Sequence, residues 1–198
     1  MQKIMKRTKN LFLILTLLTL ASSMASRSAE ARQGFAIGMG PVGNIFLVDT
    51  IPIIDPGIGG PMFFNYRFAE QLAFQTGFML TSQDGTNVSN GDNGILFLGM
   101  PTVDLKYYFL KNDPKFDPYI STGLGLYWLT EGSRGDSTGG LGMGAQIGVG
   151  FDFYIADAVS LGFDGVFRSI GLITNLSTPS ASTAIFPYSL MGNVAFHF

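Results

Sequence analysis

The chain has 198 residues and a formal net charge of −2, and only 13% of its residues are charged, against about 25% in ordinary soluble domains. Low charge favours a membrane protein, but no apolar stretch after residue 31 approaches the roughly 20 residues that a spanning helix needs. The absence of cysteine excludes disulfides, thiolate metal sites and a catalytic thiol.

The N-terminal segment has the order of a secretory signal peptide: a basic cluster, an apolar run from Leu11 to Ala21, and then small residues. Cleavage is predicted after Ala31, with Ala25 as the alternative site. Residues 1–31 are then the signal peptide, and residues 32–198 are a single domain. Cleavage removes five of the 12 basic residues and one of the 14 acidic residues. The acidic chain that remains argues against binding to nucleic acid.

The rest of the sequence alternates apolar and polar residues with period two, which predicts eight strands. In the sixth strand, apolar residues occupy the odd positions from Leu141 to Phe153, and glycine or polar residues occupy most even positions. The pattern does not define the ends of the first strand. In chain order the strands contain GFAIGMG, MFFNYRF, LAFQTGFML, TVDLKYYF, YISTGLGLYWL, GLGMGAQIGVGFDFY, VSLGFDGVFRS and YSLMGNVAFHF.

The predicted connections alternate between short and long. The short ones lie near residues 69–71, 111–117 and 156–158, and the long ones cover about residues 44–60, 82–94, 131–139 and 173–185. Short turns at one rim and long loops at the other are typical of bacterial outer-membrane barrels. The predicted fold is all-β, an eight-stranded antiparallel up-and-down transmembrane β-barrel.

Alternation alone does not say which face is inside, since a soluble lipocalin-like barrel would place its apolar face in the lumen. Three features favour an apolar face in lipid. The polar face has about one charge per strand, glycines crowd that face as a narrow lumen requires, and aromatic residues collect near strand ends as interfacial girdles do. These aromatic residues include Tyr66, Phe68, Tyr107, Phe109, Trp128, Phe153, Phe196 and Phe198.

Six charged residues share the predicted lumen face, three of each sign, so a neutral interior is expected. An eight-stranded lumen is just wide enough for side chains to fill, so these groups should contact one another across it. Arg168 is expected to lie further from the periplasmic rim, without an assigned partner. The six residues are Arg67, Asp104, Lys106, Asp152, Asp164 and Arg168.

Four features of the sequence carry a family resemblance. They are the segment LKYYFLKNDPKFDPYISTGLGLYWL, the glycine-alternating strand after it, an F-x-Y-I-A-D turn and the terminal VAFHF. Together they resemble the small eight-stranded outer-membrane barrels of the OmpA, OmpX and OmpW type. The resemblance implies a monomer in the bacterial outer membrane, surrounded by lipid and lipopolysaccharide. It also implies that Phe196 and Phe198 form the C-terminal signal that the barrel-assembly machinery recognises.

The predicted function is structural or adhesive, through four extracellular loops whose ligand the sequence does not identify. A rival function is transport of small hydrophobic molecules, as in the OmpW branch: Met79, Val166 and Ile170 could line an apolar pocket, while Gln146 and Arg168 favour a polar plug. Enzymes that modify lipid A are also eight-stranded barrels. The one histidine, His197, is predicted at the periplasmic rim, away from the loop serines, so no enzyme activity, cofactor or metal is expected.

An even strand number places both mature termini on the side of the short turns, which is the periplasm in this class of barrel. An epitope inserted at Asn90 should therefore be labelled by antibody on intact cells, whereas the same epitope at Pro114 should be labelled only after the outer membrane is permeabilised. The opposite labelling pattern would contradict this topology.

Overall fold

A computed structural model of the chain describes residues 33–47, 55–84, 94–111, 115–133, 136–173 and 182–198. The predicted signal peptide with both candidate cleavage sites, and the epitope positions Asn90 and Pro114, lie outside these residues. Within the described residues, no helix is long and apolar enough to cross a bilayer.

The described residues form ten antiparallel strands in one sheet. The strands are β1 (Gly34–Met39), β2 (Val42–Phe46), β3 (Gly57–Ala69), β4 (Leu72–Asp84), β5 (Gly94–Tyr108), β6 (Phe116–Ser133), β7 (Asp136–Ala156), β8 (Val159–Ile173), β9 (Ser182–Ile185) and β10 (Pro187–His197).

The ten strands make an eight-membered ring because the first and last barrel strands are each interrupted. Both β1 and β2 pair with β3 on one side and with β10 on the other, and both β9 and β10 pair with β8. The first interruption lies at Gly40 and Pro41, where proline supplies no backbone N–H for the ladder. The Gly192 N–H still donates to the Pro41 carbonyl at 3.0 Å across the seam. The prediction of an eight-stranded up-and-down barrel is confirmed.

Several strands are longer than the sequence predicts. Backbone groups can keep pairing beyond the segments of regular side-chain alternation, because hydrogen bonding in the ladder does not depend on side-chain polarity. The long connections predicted at 44–60 and 131–139 are thus partly strand, and β9 lies within the connection predicted at 173–185. The strand ends that differ are Phe46, Gly57, Phe116, Ser133 and Asp136.

Burial alternates along the strands, with the polar, glycine-rich face turned into the lumen and the apolar face turned outward. The outward face is strongly apolar: Trp128 is 52% exposed and Phe198 is 50% exposed. All eight aromatic residues predicted for the outer girdles are outward and exposed: Tyr66, Phe68, Tyr107, Phe109, Trp128, Phe153, Phe196 and Phe198.

Glycines on the lumen face provide room for the large side chains that fill the ring. A Cβ atom added at Gly150 would lie 2.6 Å from the Phe163 carbonyl oxygen, 2.7 Å from Oδ1 of Asp164 and 2.8 Å from Cζ of Tyr119, closer than van der Waals contact. A Cβ atom added at Gly171, which faces outward in the neighbouring strand, would meet no heavy atom within 4 Å. The two faces of the wall therefore have opposite steric requirements.

This contrast predicts that glycine-to-alanine substitutions on the two faces change the free energy of unfolding differently. Gly150→Ala should lower the free energy of unfolding by about 1–3 kcal/mol, because overpacking displaces Tyr119 or Asp164. Gly171→Ala should leave it unchanged or raise it by about 0.5–1 kcal/mol, because alanine loses less backbone entropy than glycine. Reversible urea unfolding in lipid vesicles measures both. Equal losses in the two variants would contradict the assignment of faces.

Candidate functional site

The lumen buries all six charged residues that the sequence places there, and it also buries Asp117. Asp117 is 0% exposed, and Arg67 beside it is 5% exposed. The expectation of a neutral interior is therefore wrong for the described residues, because four carboxylates face three cationic groups. The sequence predicts a turn at Asp117. It has the same parity as Tyr119 and Ser121, so extending the alternation of β6 by one step places it on the lumen face.

The lower cluster lies nearest the short-turn rim and consists of Arg67, Tyr108, Asp117 and Asp152. Nη1 of Arg67 donates to Oδ2 of Asp117 at 2.7 Å, and Nε donates to the Glu70 carbonyl in the β3–β4 turn at 2.9 Å. The guanidinium carbon lies 4.0 Å from the centre of the Tyr108 ring, and the Tyr108 hydroxyl donates to Oδ2 of Asp152 at 3.0 Å. One arginine thus joins a turn, a carboxylate and a ring face.

The middle cluster consists of Lys106, Tyr119, Asp164 and Asn193. The Lys106 ammonium lies 4.0 Å from the centre of the Tyr119 ring, an attractive cation–π contact. The Tyr119 hydroxyl donates to Oδ1 of Asp164, and Nδ2 of Asn193 donates to Oδ2 of the same carboxylate at 3.0 Å. Both oxygens of this buried carboxylate therefore accept hydrogen bonds, as a desolvated charge requires.

The upper cluster is organised by the side-chain amide of Gln146, which bonds Asp104, Tyr127 and Arg168. Its Nε2 donates to Oδ1 of Asp104 at 2.6 Å, while Oε1 accepts from the Tyr127 hydroxyl at 2.7 Å and from Nε of Arg168 at 3.0 Å. Nη1 of Arg168 donates to Oγ of Ser189 at 2.6 Å. The sequence predicts no partner for Arg168, and these contacts supply two, Gln146 and Ser189.

The predicted contacts among the six charged residues are largely indirect. Arg67 pairs with Asp117 rather than with one of the six. The other hydrogen bonds described above involve tyrosine hydroxyls, the side chains of Gln146, Asn193 and Ser189, and the Glu70 carbonyl. Tyr108, Tyr119 and Tyr127 are each 1% exposed. The alternation in the sequence places these three tyrosines on the polar face. Which acceptors their hydroxyls reach depends on strand register.

An apolar cluster fills the lumen beyond the upper cluster, toward the long-loop rim. Met79 and Ile170, which the sequence predicted to face inward, are 3% and 0% exposed, and the Phe97 and Tyr127 rings stack with centroids 5.7 Å apart. These side chains pack against each other instead of lining a tunnel within the described part of the barrel. The apolar cluster is Val42, Met79, Phe97, Tyr127, Ile170, Leu172 and Ile185.

His197 lies half-buried at the short-turn rim, where the sequence predicted it. Its Nε2 is 2.9 Å from Oγ of Ser160, and its ring centroid is 5.1 Å from that of Tyr154. A serine thus lies within reach of the histidine, although it comes from a strand rather than a loop. Ser160 is 0% exposed, so a substrate has no approach to its hydroxyl. Among the described residues, no three His, Cys, Asp or Glu side chains are grouped to hold a metal ion.

The lower cluster generates a test of the ion pair that the sequence did not predict. Asp117→Asn should lower the free energy of unfolding by about 3–5 kcal/mol, because it leaves the buried Arg67 guanidinium without its counter-charge. Asp157→Asn, at an exposed turn position on the same rim, should change it by less than about 0.5 kcal/mol. Urea titration of both variants in vesicles measures the difference, and similar small effects would refute the importance of the pair.

Comparison with known proteins places this barrel in a family. No curated protein sequence matches the chain. Among solved structures, it is similar to Neisserial surface protein A, with a TM-score of 0.65, 15% identity, and coverage of 84% of this chain and 98% of that one.

Two further solved structures have the same fold. One is Ail, the attachment invasion locus protein of Yersinia pestis, in complex with the heparin analogue sucrose octasulfate, with a TM-score of 0.57, 14% identity, and coverage of 84% and 99%. The other is OprG from Pseudomonas aeruginosa, with a TM-score of 0.51, 16% identity, and coverage of 84% and 96%. Residues 13–182 match the outer membrane protein beta-barrel domain. The chain therefore belongs to the outer membrane protein beta-barrel family, whose members reside in the bacterial outer membrane.

Proposed function

We propose that this protein is a closed, non-enzymatic barrel that acts structurally or adhesively through the connections at its long-loop rim. The observation that carries the proposal is the filled lumen: three polar clusters occupy it from the short-turn rim upward, and the apolar cluster lies beyond them. A protein whose lumen is filled has its outward loops as the surface available to other molecules.

The size of one lumen cavity argues against passage of a solute at that level of the barrel. The cavity between the middle cluster and the apolar cluster has a volume of about 40 Å³, and one water needs roughly 10–15 Å³ of such space. A cavity of this size holds about three waters and no organic molecule. Transport of small hydrophobic molecules, the rival function, would need a continuous apolar path, whereas Met79 and Val166 border this small cavity and Ile170 packs in the apolar cluster.

The charge of the loops limits the kind of partner. The predicted long connections and the strand ends beside them carry six acidic residues and one arginine, and such a surface repels polyanions. We therefore expect a basic or neutral partner, in contrast to the sulfated ligand of Ail. The charged residues are Asp49, Asp55, Asp84, Asp92, Glu131, Asp136 and Arg134.

Orientation and assembly complete the proposal. The termini lie in the periplasm, the barrel is a monomer in lipid and lipopolysaccharide, and the assembly machinery recognises the C-terminal strand. In support of the last point, Phe196 and Phe198 are on the outward face, and the Phe198 N–H bonds the Phe35 carbonyl at 2.8 Å at the seam. The final strand therefore presents its aromatic side chains and closes the ring.

The closed lumen predicts that the purified wild-type protein, reconstituted in a planar bilayer, gives no steady unitary conductance. Asp117→Asn and Gln146→Leu loosen the plug and should produce irregular openings, whereas Asp157→Asn should remain silent. Reproducible unitary steps in the wild-type protein would contradict a closed barrel and favour transport.

Loop charge predicts selective binding by the barrel in nanodiscs of zwitterionic lipid. The wild-type protein should bind an immobilised lysine-rich peptide and should not bind an immobilised sulfated polysaccharide. Combined Asp49→Asn, Asp55→Asn and Asp92→Asn should weaken peptide binding at least severalfold, while Asp157→Asn on the other rim should not. Binding to the sulfated polysaccharide would contradict the partner chemistry proposed above.

A further inference from the structure

The cavity of about 40 Å³ lies where the polar clusters meet the apolar cluster. Its lining mixes polar and apolar residues and includes both signs of charge, with Asp104, Asp164, Lys106 and Arg168 all contributing. Met79 and Val166 cover it on the apolar side. Its lining comes from the barrel strands β3 to β8 and β10 and includes the outward-facing Phe78, so the cavity is separate from the loops to which the function above is assigned.

Two acceptor atoms in the cavity lining have no protein donor. Oε1 of Gln75 and Oδ1 of Asn193 accept no hydrogen bond from any residue that the structure describes, and both atoms are buried. Asn193 is 6% exposed, and its Nδ2 is already committed to Asp164. A buried carbonyl oxygen without a donor is unfavourable, so these two atoms indicate a bound donor in the cavity.

The same lining also contains a strong donor. Lys106 is 3% exposed, and its ammonium group carries three N–H donors. The Tyr119 ring, 4.0 Å away, occupies one side of this ammonium, and the cavity lies beside the same side chain. The cavity thus needs an occupant that accepts a hydrogen bond from Lys106 and donates to Asn193 and Gln75.

We infer that this cavity is a binding site for ordered water, about three molecules at most, bridging Lys106 to Asn193 and Gln75. Water both donates and accepts, and it usually makes about three hydrogen bonds when buried. A metal cation would lie beside the Lys106 ammonium, and an anion would face Asp104 and Asp164, so each would meet a like charge. The bound water thus joins Lys106 and Asn193 of the middle cluster to Gln75 in β4.

The sign of a stability change tests the inference. If water bonds Oε1 of Gln75, Gln75→Leu removes a partner of that water, and the unfolding equilibrium in urea should shift toward the unfolded state by about tenfold. If the cavity is dry, the same substitution removes an unsatisfied polar atom and shifts the equilibrium the other way. An unchanged or increased stability would overturn the inference.

A matched control is available in the same strand. Gln83 is buried, its Oε1 also lacks a donor among the described residues, and it does not line the cavity. Gln83→Leu should lower stability by less. It removes the hydrogen bond from Nε2 to Oγ1 of Thr81, at 3.2 Å, but it also removes a buried oxygen that lacks a donor. An equal loss in both variants would assign the effect to lumen polarity in general and would count against a water site.

A direct measurement on the unaltered protein makes the result independent of variant folding. In nanodiscs, nuclear Overhauser effects from water to the side-chain amide protons of Asn193 should have the sign of long-lived bound water. The backbone amide of Ile170, inside the apolar cluster, should give none. Absence of the Asn193 effect would overturn the inference, whatever the stability of Gln75→Leu.

Discussion

Closure of eight strands around a narrow lumen is the constraint on which the rest of this structure depends. The ring leaves no sheet edge, and its interior is just wide enough for side chains to fill. Every inward residue therefore meets residues from other strands, and each buried charge must find its partners inside the same small space. The glycines follow from the same constraint, since a methyl group at Gly150 would displace Tyr119 or Asp164.

The interior solves this problem with neutral donors as well as with ion pairs. Three buried tyrosines and one glutamine carry much of the hydrogen bonding, and Gln146 joins a carboxylate to a guanidinium through the two ends of one amide. Such mediators are suited to a lumen with more carboxylates than cations, because each hydroxyl that donates to a carboxylate stabilises its charge without adding another. The apolar cluster closes the other half of the lumen by packing rather than by hydrogen bonding.

Because the interior is filled, the outward face of the wall and the loops are the surfaces that contact other molecules. The outward face is apolar and suited to lipid, with aromatic residues near both ends of the strands. Similarity to solved structures at 14–16% identity shows the fold of this chain, and fold alone does not decide between an adhesive and a transport role. The packed apolar cluster and the small cavity are the observations that favour a closed barrel.

The sequence by itself determined the number of barrel strands and the face that most strand residues occupy, because alternation between the two faces is a local property of an extended chain; Asp117, within a predicted turn, is an exception. It placed Arg67, Asp104 and Arg168 inside by that rule alone. Only the tertiary structure decided which residues meet, because height in a barrel depends on the register of all eight strands together. Arg67 and Asp117 are 50 residues apart in sequence, and no local pattern specifies that the ring brings them to one level.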